Sequence, residues 1–422
     1  MRTSAVVLSV LCLLVLAGPA YGFELWSDES GERSCALTTS LKWTSLLSHA
    51  PDDTLLYPEA WSGSSLWRFR AVLDARPTTW LRCEAAYDLG TRVVSGGAGA
   101  AGGAGILPSS LPVPYRIGQL EDALVETETG LSVRHELDRA SADVSLGRVD
   151  LTVGRQAVGW GRGLLFGAVD IFAPFSPLES DREWRRGVDA VRLRAPVTDR
   201  ISFDAVGAFG ESVDESAFVG RVHGYVGDMD GELLVGRRRD DDFCAASLSL
   251  PVLGAELHGE LAAFSVESPA PGGGLFGDAG PVATALFGGS RTFDLLSGLY
   301  VVAEYHYSGF GVCNVTDPKE LEHPGFLERY ASGDTQTLGR HAVAMQLSYG
   351  FAGLTPLSLT WVVSPVDGSG VLIPSVNWIF SDSVALSASA YVPHGAGPRD
   401  GALGSEYGAT PAGGLLQISF YY

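Results

Sequence analysis

The chain has 422 residues and carries 29 Lys and Arg against 49 Asp and Glu, a formal charge of −20. That balance argues against a nucleic-acid partner, whose phosphates require basic patches. Hydrophobic residues make up 46% of the chain, yet no long apolar run follows the N-terminus, which excludes a bundle of membrane-spanning helices.

Met1-Arg2 gives a positive start, Ala5 to Leu16 is apolar, and Ala20-Tyr21-Gly22 places small residues at a cleavage site. Residues 1–22 therefore read as a secretory signal peptide. The other reading, a retained anchor, needs about 20 apolar residues, more than the run supplies. Residues 23–35 read as a short periplasmic segment. Cys35, Cys83, Cys244 and Cys313 show neither C-x-x-C spacing nor a Cys/His cluster, so no metal site is expected. A Cys244–Cys313 bridge is one option in an oxidising compartment.

From there the pattern is of period 2, the signature of half-buried strands. Segment 36–45 alternates through Leu37, Thr39, Leu41 and Trp43. Segment 64–74 sets Trp67, Phe69, Ala71 and Leu73 against Arg68, Arg70 and Asp74, and 79–88 sets Leu81, Cys83, Ala85 and Tyr87 against Arg82, Glu84 and Asp88. A long connection, 89–130, holds the low-complexity run Gly96–Gly105. Paired segments then follow at 131–146 and 149–155, 187–195 and 200–209, 216–227 and 232–238, 243–250 and 255–265, 283–293 and 299–307, 340–349 and 356–363, and 371–380 and 384–392. Segment 413–422 ends the chain.

Short turns follow every even segment and longer loops every odd one. Transmembrane barrels have this asymmetry, whereas a soluble sandwich, which shares the alternation, has no reason to keep it. In lipid every backbone donor and acceptor must be paired internally, so a sheet has to close. The expected fold is all-β: one transmembrane antiparallel barrel over 36–422, with 18 strands, or 16 if 36–45 or 283–293 fails to pair. The expected location is the outer membrane, with its lipid as a partner. Leu416, Ile418, Phe420 and Tyr422 share one face of the last segment. An aromatic at the end of such a strand resembles the closing strand of outer-membrane barrels, which implies that Phe420 and Tyr422 signal to the barrel assembly machinery.

Residues 150–186 are the most distinctive. Gly154-Arg155-Gln156, Gly159-Trp160-Gly161 and Asp170-Ile171-Phe172-Ala173-Pro174 resemble a pattern of outer-membrane porin-like proteins, most closely the alginate-export and related families. The resemblance implies a passive channel with a loop folded into the lumen. The residues agree: 156–186 is apolar at its centre, unlike a disordered tail, and connections this long are commonly functional. Arg155, Trp160, Arg162, Asp170, Asp181, Arg182, Arg185 and Arg186 are the candidate constriction residues. The competing reading is a cap packed on the rim.

Arg68, Arg70, Arg82, Arg134, Arg192, Arg194 and Arg221 lie on the polar face of their strands and are the candidate pore-lining residues. Guanidiniums in a pore favour anions, unless Glu84, Asp88, Glu136, Asp138 and Asp204 neutralise them. No catalytic constellation is recognised: there is no G-x-S-x-G, no H-E-x-x-H and no phosphate-binding loop. His258 and His306 read as polar lumen residues. No cofactor is expected. Three functions compete: a channel for small, anionic or polymeric solutes, a structural or adhesive barrel with a filled lumen, and an outer-membrane hydrolase.

Overall fold

The computed structural model describes residues 22–95, 105–108, 113–118, 121–127, 130–267, 269, 273–276, 280–295, 298–351 and 355–422. The expected signal peptide, apart from Gly22, and the low-complexity run up to residue 104 lie outside the described residues.

Among the described residues, twenty strands form one sheet. In chain order they are β1 (Phe23–Ser27), β2 (Ser34–His49), β3 (Trp61–Thr78), β4 (Leu81–Ser95), β5 (Glu121–Glu126), β6 (Leu131–Leu146), β7 (Val149–Gln156), β8 (Val188–Pro196), β9 (Ile201–Ala208) and β10 (Ala217–Val226). There follow β11 (Met229–Arg238), β12 (Asp241–Val252), β13 (Ala255–Ser265), β14 (Val282–Phe293), β15 (Leu299–Ser308), β16 (His341–Phe351), β17 (Thr355–Val363), β18 (Gly370–Ser381), β19 (Val384–His394) and β20 (Ala412–Tyr421). Eighteen of them close an antiparallel barrel. The seam is β2–β20, in register from Ser40↔Tyr421 to His49↔Ala412.

The other two strands, β1 and β5, were not foreseen, and one physical reason covers both. β6 has 16 residues and its neighbour β7 only 8. β7 pairs with Ala140–Leu146, and β5 takes Ser132–Glu136 on the edge that remains. Likewise β20 reaches Ser40 of β2, and β1 pairs with Ser34–Leu37 beyond it. Each covers backbone groups that a long strand would otherwise leave open at an edge.

The two faces of the barrel differ as lipid immersion requires. Outward lie Leu233, Val235, Leu261, Phe287, Trp361 and Trp378, all exposed. Inward lie Lys42, Arg70, Asp88, Asp138, Asp204, Glu232, His258, Glu260, Glu304 and His306, all buried. No described helix is long and apolar enough to cross a membrane.

Tight turns join the strands at one end: Gly147-Arg148, Gly227-Asp228 and Leu253-Gly254 are examples. Leu253 and Gly254 both have positive φ, 51° and 77°, which matches the twist of a two-residue hairpin. At the other end lie the described residues of L1 (50–60), L2 (96–130), L3 (157–187), L4 (209–216), L5 (239–240), L6 (266–281), L7 (309–340), L8 (364–369) and L9 (395–411). L5 breaks the expected parity of long loops. Arg239 takes φ 53° there, and the hairpin stays tight. It lies against L7, whose helices are α1 (Pro318–Leu321) and α2 (Pro324–Ala331). Arg329 bridges Asp241 and Asp334, while Arg238 reaches Asp334 at 2.7 Å and Arg239 at 2.8 Å. Cys35, Cys83, Cys244 and Cys313 are all free thiols, so the Cys244–Cys313 bridge is not formed.

Candidate pore and its inserted loop

L3 lies inside the barrel, not on its rim. Trp160, Val169, Ile171 and Phe172 pack with Val206, Val219, Leu234, Phe243 and Phe264 on the wall of β9 to β13. Phe166, Ala168 and Leu178 pack with Ala344, Val362, Val371, Tyr391 and Leu415 on the wall of β16 to β20. The loop thus spans the lumen between opposite walls. That explains its apolar centre, which in water would be an unfavourable exposure.

Some of its charged residues reach the wall and others bond within the loop. Arg162 pairs with Asp230 at 2.5 Å and with Glu232 at 2.9 Å. Asp170 pairs with Arg185, which also donates to the Ala173 carbonyl at 2.7 Å. Asp181 accepts from Lys42 of β2 at 2.8 Å. Arg182 closes a turn inside the loop, donating to the Pro177 carbonyl at 2.8 Å and the Ser176 carbonyl at 3.0 Å. Arg186 lies 3.7 Å from Glu136. Trp160 is buried edge-on against Phe172, with ring centroids 5.2 Å apart. Arg155 belongs to the wall rather than to the loop. It is the penultimate residue of β7 and holds Asp189 of β8 at 2.7 Å.

Six of the seven candidate arginines of the early strands are ion-paired among the described residues. Arg68 and Arg70 share Asp88 at 2.9 and 2.7 Å, and Arg70 also reaches Asp138 at 2.8 Å. Arg82 pairs with Asp74, and Arg192 with Asp204 at 2.5 Å. Arg221 pairs with Glu232 at 2.9 Å and with Asp204 at 3.3 Å. Arg194 is 3.9 Å from Asp143 and half exposed. Arg134 is exposed. The Trp184 ring from L3 sits among Lys42 at 4.0 Å and Arg68 and Arg70 at 5.0 Å. Beside it a cavity of about 350 Å³ is lined by Thr39, Ser40, Arg70, Val72, Trp184 and Tyr421, among others.

The closed barrel is similar to those of several solved structures. OccK9 (OpdG) of Pseudomonas aeruginosa is 9% identical with TM-score 0.52, over 92% of this chain and 98% of that one. A BenF-like porin from Pseudomonas fluorescens Pf-5 is 11% identical with TM-score 0.51, over 92% and 98%. OccK5 (OpdH) of Pseudomonas aeruginosa is 12% identical with TM-score 0.50, over 91% and 97%.

The fold is that of the Occ/Opd porins.

The likeness bears out the porin-like barrel but gives no support to the alginate-export resemblance drawn from residues 150–186. No protein-family model and no curated protein matches the sequence.

Within this barrel, Arg139 and a second group of wall residues escape the period-2 pattern. The first arises at a β-bulge. β6 pairs Leu137 with Tyr87 and Arg139 with Ala86, so Asp138 is the extra residue. A bulge switches the parity of everything beyond it. Asp138 and Arg139 therefore both point inward, and Arg139 donates to Asp138 at 2.7 Å. The Asp138 carboxylate also accepts the Gly187 N–H at 2.9 Å, and Arg139 reaches the Arg185 carbonyl. The end of L3 is thereby tied to the bulge.

The second group holds the start of L3. Eight successive backbone N–H groups, Arg162 to Val169, donate to side chains. Glu260 of β13 accepts from Arg162, from Gly163 at 2.8 Å, from Ala168 at 2.7 Å and from Val169 at 3.2 Å. Glu304 of β15 accepts from Leu164 at 2.6 Å, Leu165 at 2.9 Å and Phe166 at 3.0 Å. Gln336 of L7 accepts from Gly167 at 3.1 Å. This segment has no helix or sheet partner, so buried donors must find acceptors elsewhere. The glycines of the Gly159-Trp160-Gly161 motif and its continuation follow from it. A Cβ on Gly161, whose φ is +115°, would lie 2.7 Å from Glu260 Oε1, and one on Gly163 would lie 2.0 Å from the Phe166 carbonyl oxygen.

Proposed function

We propose that the protein is an outer-membrane channel of porin type, through which small polar solutes diffuse past L3, anionic and oligomeric ones included. The observation that carries this reading is the position of L3 within the barrel. A barrel of 16–18 strands is wide enough for an aqueous channel, so whatever crosses the lumen sets its cutoff. The apolar outer belt fits membrane lipid as one partner. The C-terminal strand β20 and the residue after it, with Phe420 and Tyr422, fit the barrel assembly machinery as another. The residues Trp160, Arg162, Asp170, Asp181, Arg182, Arg185 and Arg186 are then the constriction, and no chemical step is assigned to any of them.

One observation favours a second reading, a barrel with a filled lumen: both apolar clusters bring L3 onto opposite walls. Anion preference rests on the guanidiniums that keep solvent contact despite their partners, above all Arg82 and Arg194, whose side chains are 43% and 47% exposed. In a narrow passage each imperfectly neutralised charge acts through a lower dielectric than bulk water. The experiment is the reversal potential under a KCl gradient, for wild type and for Arg68→Ala/Arg70→Ala/Arg82→Ala. Anion preference that inverts in the variant supports the assignment, because Asp74, Asp88 and Asp138 are left behind. A cation-preferring wild type or an unchanged variant removes it.

A further inference from the structure

We propose that Glu260 and Glu304 are the positioning residues of the pore: a pair of wall carboxylates that latch L3 in place and so set the width of the passage. The inference rests on the channel reading for its conductance but on geometry for the latch itself.

The chemistry is reciprocal. Glu260 and Glu304 are 4% and 2% exposed, and a buried carboxylate is costly unless its lone pairs are filled. Glu304 has His258 at 2.9 Å as a side-chain partner. The described hydrogen bonds to Glu260 come wholly from L3 amides. Seven L3 amides thus supply most of the compensation for two wall charges. Successive N–H groups curled around an anion form a nest, and here the anion belongs to the protein. Neither side is satisfied without the other, so L3 has one seated position. Leaving it exposes seven donors and two carboxylates together.

The wall is shaped for this. Glu304 pairs in register with Gly288 of β14, which stands between it and His258 of β13. A Cβ on Gly288 would lie 2.5 Å from Glu304 Cγ and 2.8 Å from His258 Nε2. The absence of a side chain at Gly288 is what lets the imidazole reach the carboxylate and the carboxylate reach the loop. Thr284, also on β14, donates to the Ala168 carbonyl at 2.9 Å and marks the same seat.

The test uses the full-length barrel with its native cysteines replaced by serine and Ala168→Cys as the probe. Ala168 is 7% exposed where L3 meets the wall, so its thiol reports whether the loop is seated. Labelling by a small water-soluble maleimide is measured alone and with Glu260→Gln/Glu304→Gln, which keeps side-chain volume and removes both charges. The latch predicts at least a tenfold faster reaction in the double variant, with larger single-channel conductance. Unchanged labelling in a folded double variant overturns it. Should the double variant fail to assemble, Gly288→Ala keeps both carboxylates and displaces Glu304. It must then raise labelling likewise, and a labelling rate equal to the parent's counts against the latch. Faster labelling without conductance, even after deletion of 160–184, supports the latch while refuting the channel.

Discussion

Arg70 and Asp138 are joined by a 2.8 Å ion pair that spans the strand between them, and their side chains are 4% and 2% exposed. Asp138 also holds Arg139 at 2.7 Å and lies 3.5 Å from Arg116. Removing it leaves a cluster of buried guanidiniums short of a counter-charge. Asp138→Ala is expected to cost about 3–5 kcal/mol, the range for breaking a buried pair from one side. The check is the guanidinium unfolding midpoint of the detergent-solubilised barrel. Arg194→Ala, at a half-exposed pair, should move that midpoint far less.

Gly154 has φ +112°, and a Cβ there would fall 2.2 Å from the Ala140 carbonyl oxygen. The β6–β7 pairing therefore tolerates only glycine at this place, which accounts for the first residue of the Gly154-Arg155-Gln156 motif. Gly154→Ala should reduce the yield of heat-modifiable barrel severalfold. Gly414→Ala, where no described atom lies within 4 Å of an added Cβ, should leave the yield unchanged.

The loops opposite the tight turns carry a pH-dependent contact. Burial pushes the Glu406 carboxyl of L9 up to about 7, although the Gly339 N–H of L7 donates to it at 3.1 Å. The folded loops therefore bind a proton that the unfolded chain releases near 4.5. The contribution of this contact is greatest below pH 4.5 and is lost progressively up to about pH 7, with no further change above. Amide exchange at Gly339 should accelerate across that window beyond its intrinsic rise. In Glu406→Gln the excess acceleration should vanish.

Tyr422 and Thr39 exchange two backbone hydrogen bonds, 2.8 and 2.7 Å long, where the seam ends. Phe420 and Tyr421 pair with Leu41 and Ser40 just above. Deleting Phe420 to Tyr422 opens this end of the seam and should abolish heat-modifiable barrel while export across the inner membrane continues. Normal barrel yield from the truncated chain would show that the seam closes without them.

The 18 barrel strands were legible because each repeats period 2 over enough residues and most are separated by Gly, Pro or Asp turns. Leu131–Leu146 exceeding its neighbour by several residues was the missed clue to β5, since an uncovered edge calls for a partner. Arg139 was lost because a single alternating frame cannot register the bulge at Asp138. Glu260 and Glu304 leave no mark in the pattern for another reason. Each is one polar residue on a mixed inner face, and its importance comes from L3 amides far away in the chain. Such amides are invisible to side-chain patterns. The glycines at 161 and 163 recorded their half of that contact, as residues that must let something approach.

The most direct measurement is single-channel conductance in a planar bilayer, wild type against deletion of 160–184. The account predicts small, discrete openings in wild type and severalfold larger ones once the loop is gone from the lumen. Equal conductance in both would place the constriction elsewhere. No conductance from either folded barrel would contradict the channel itself and leave a filled, structural barrel.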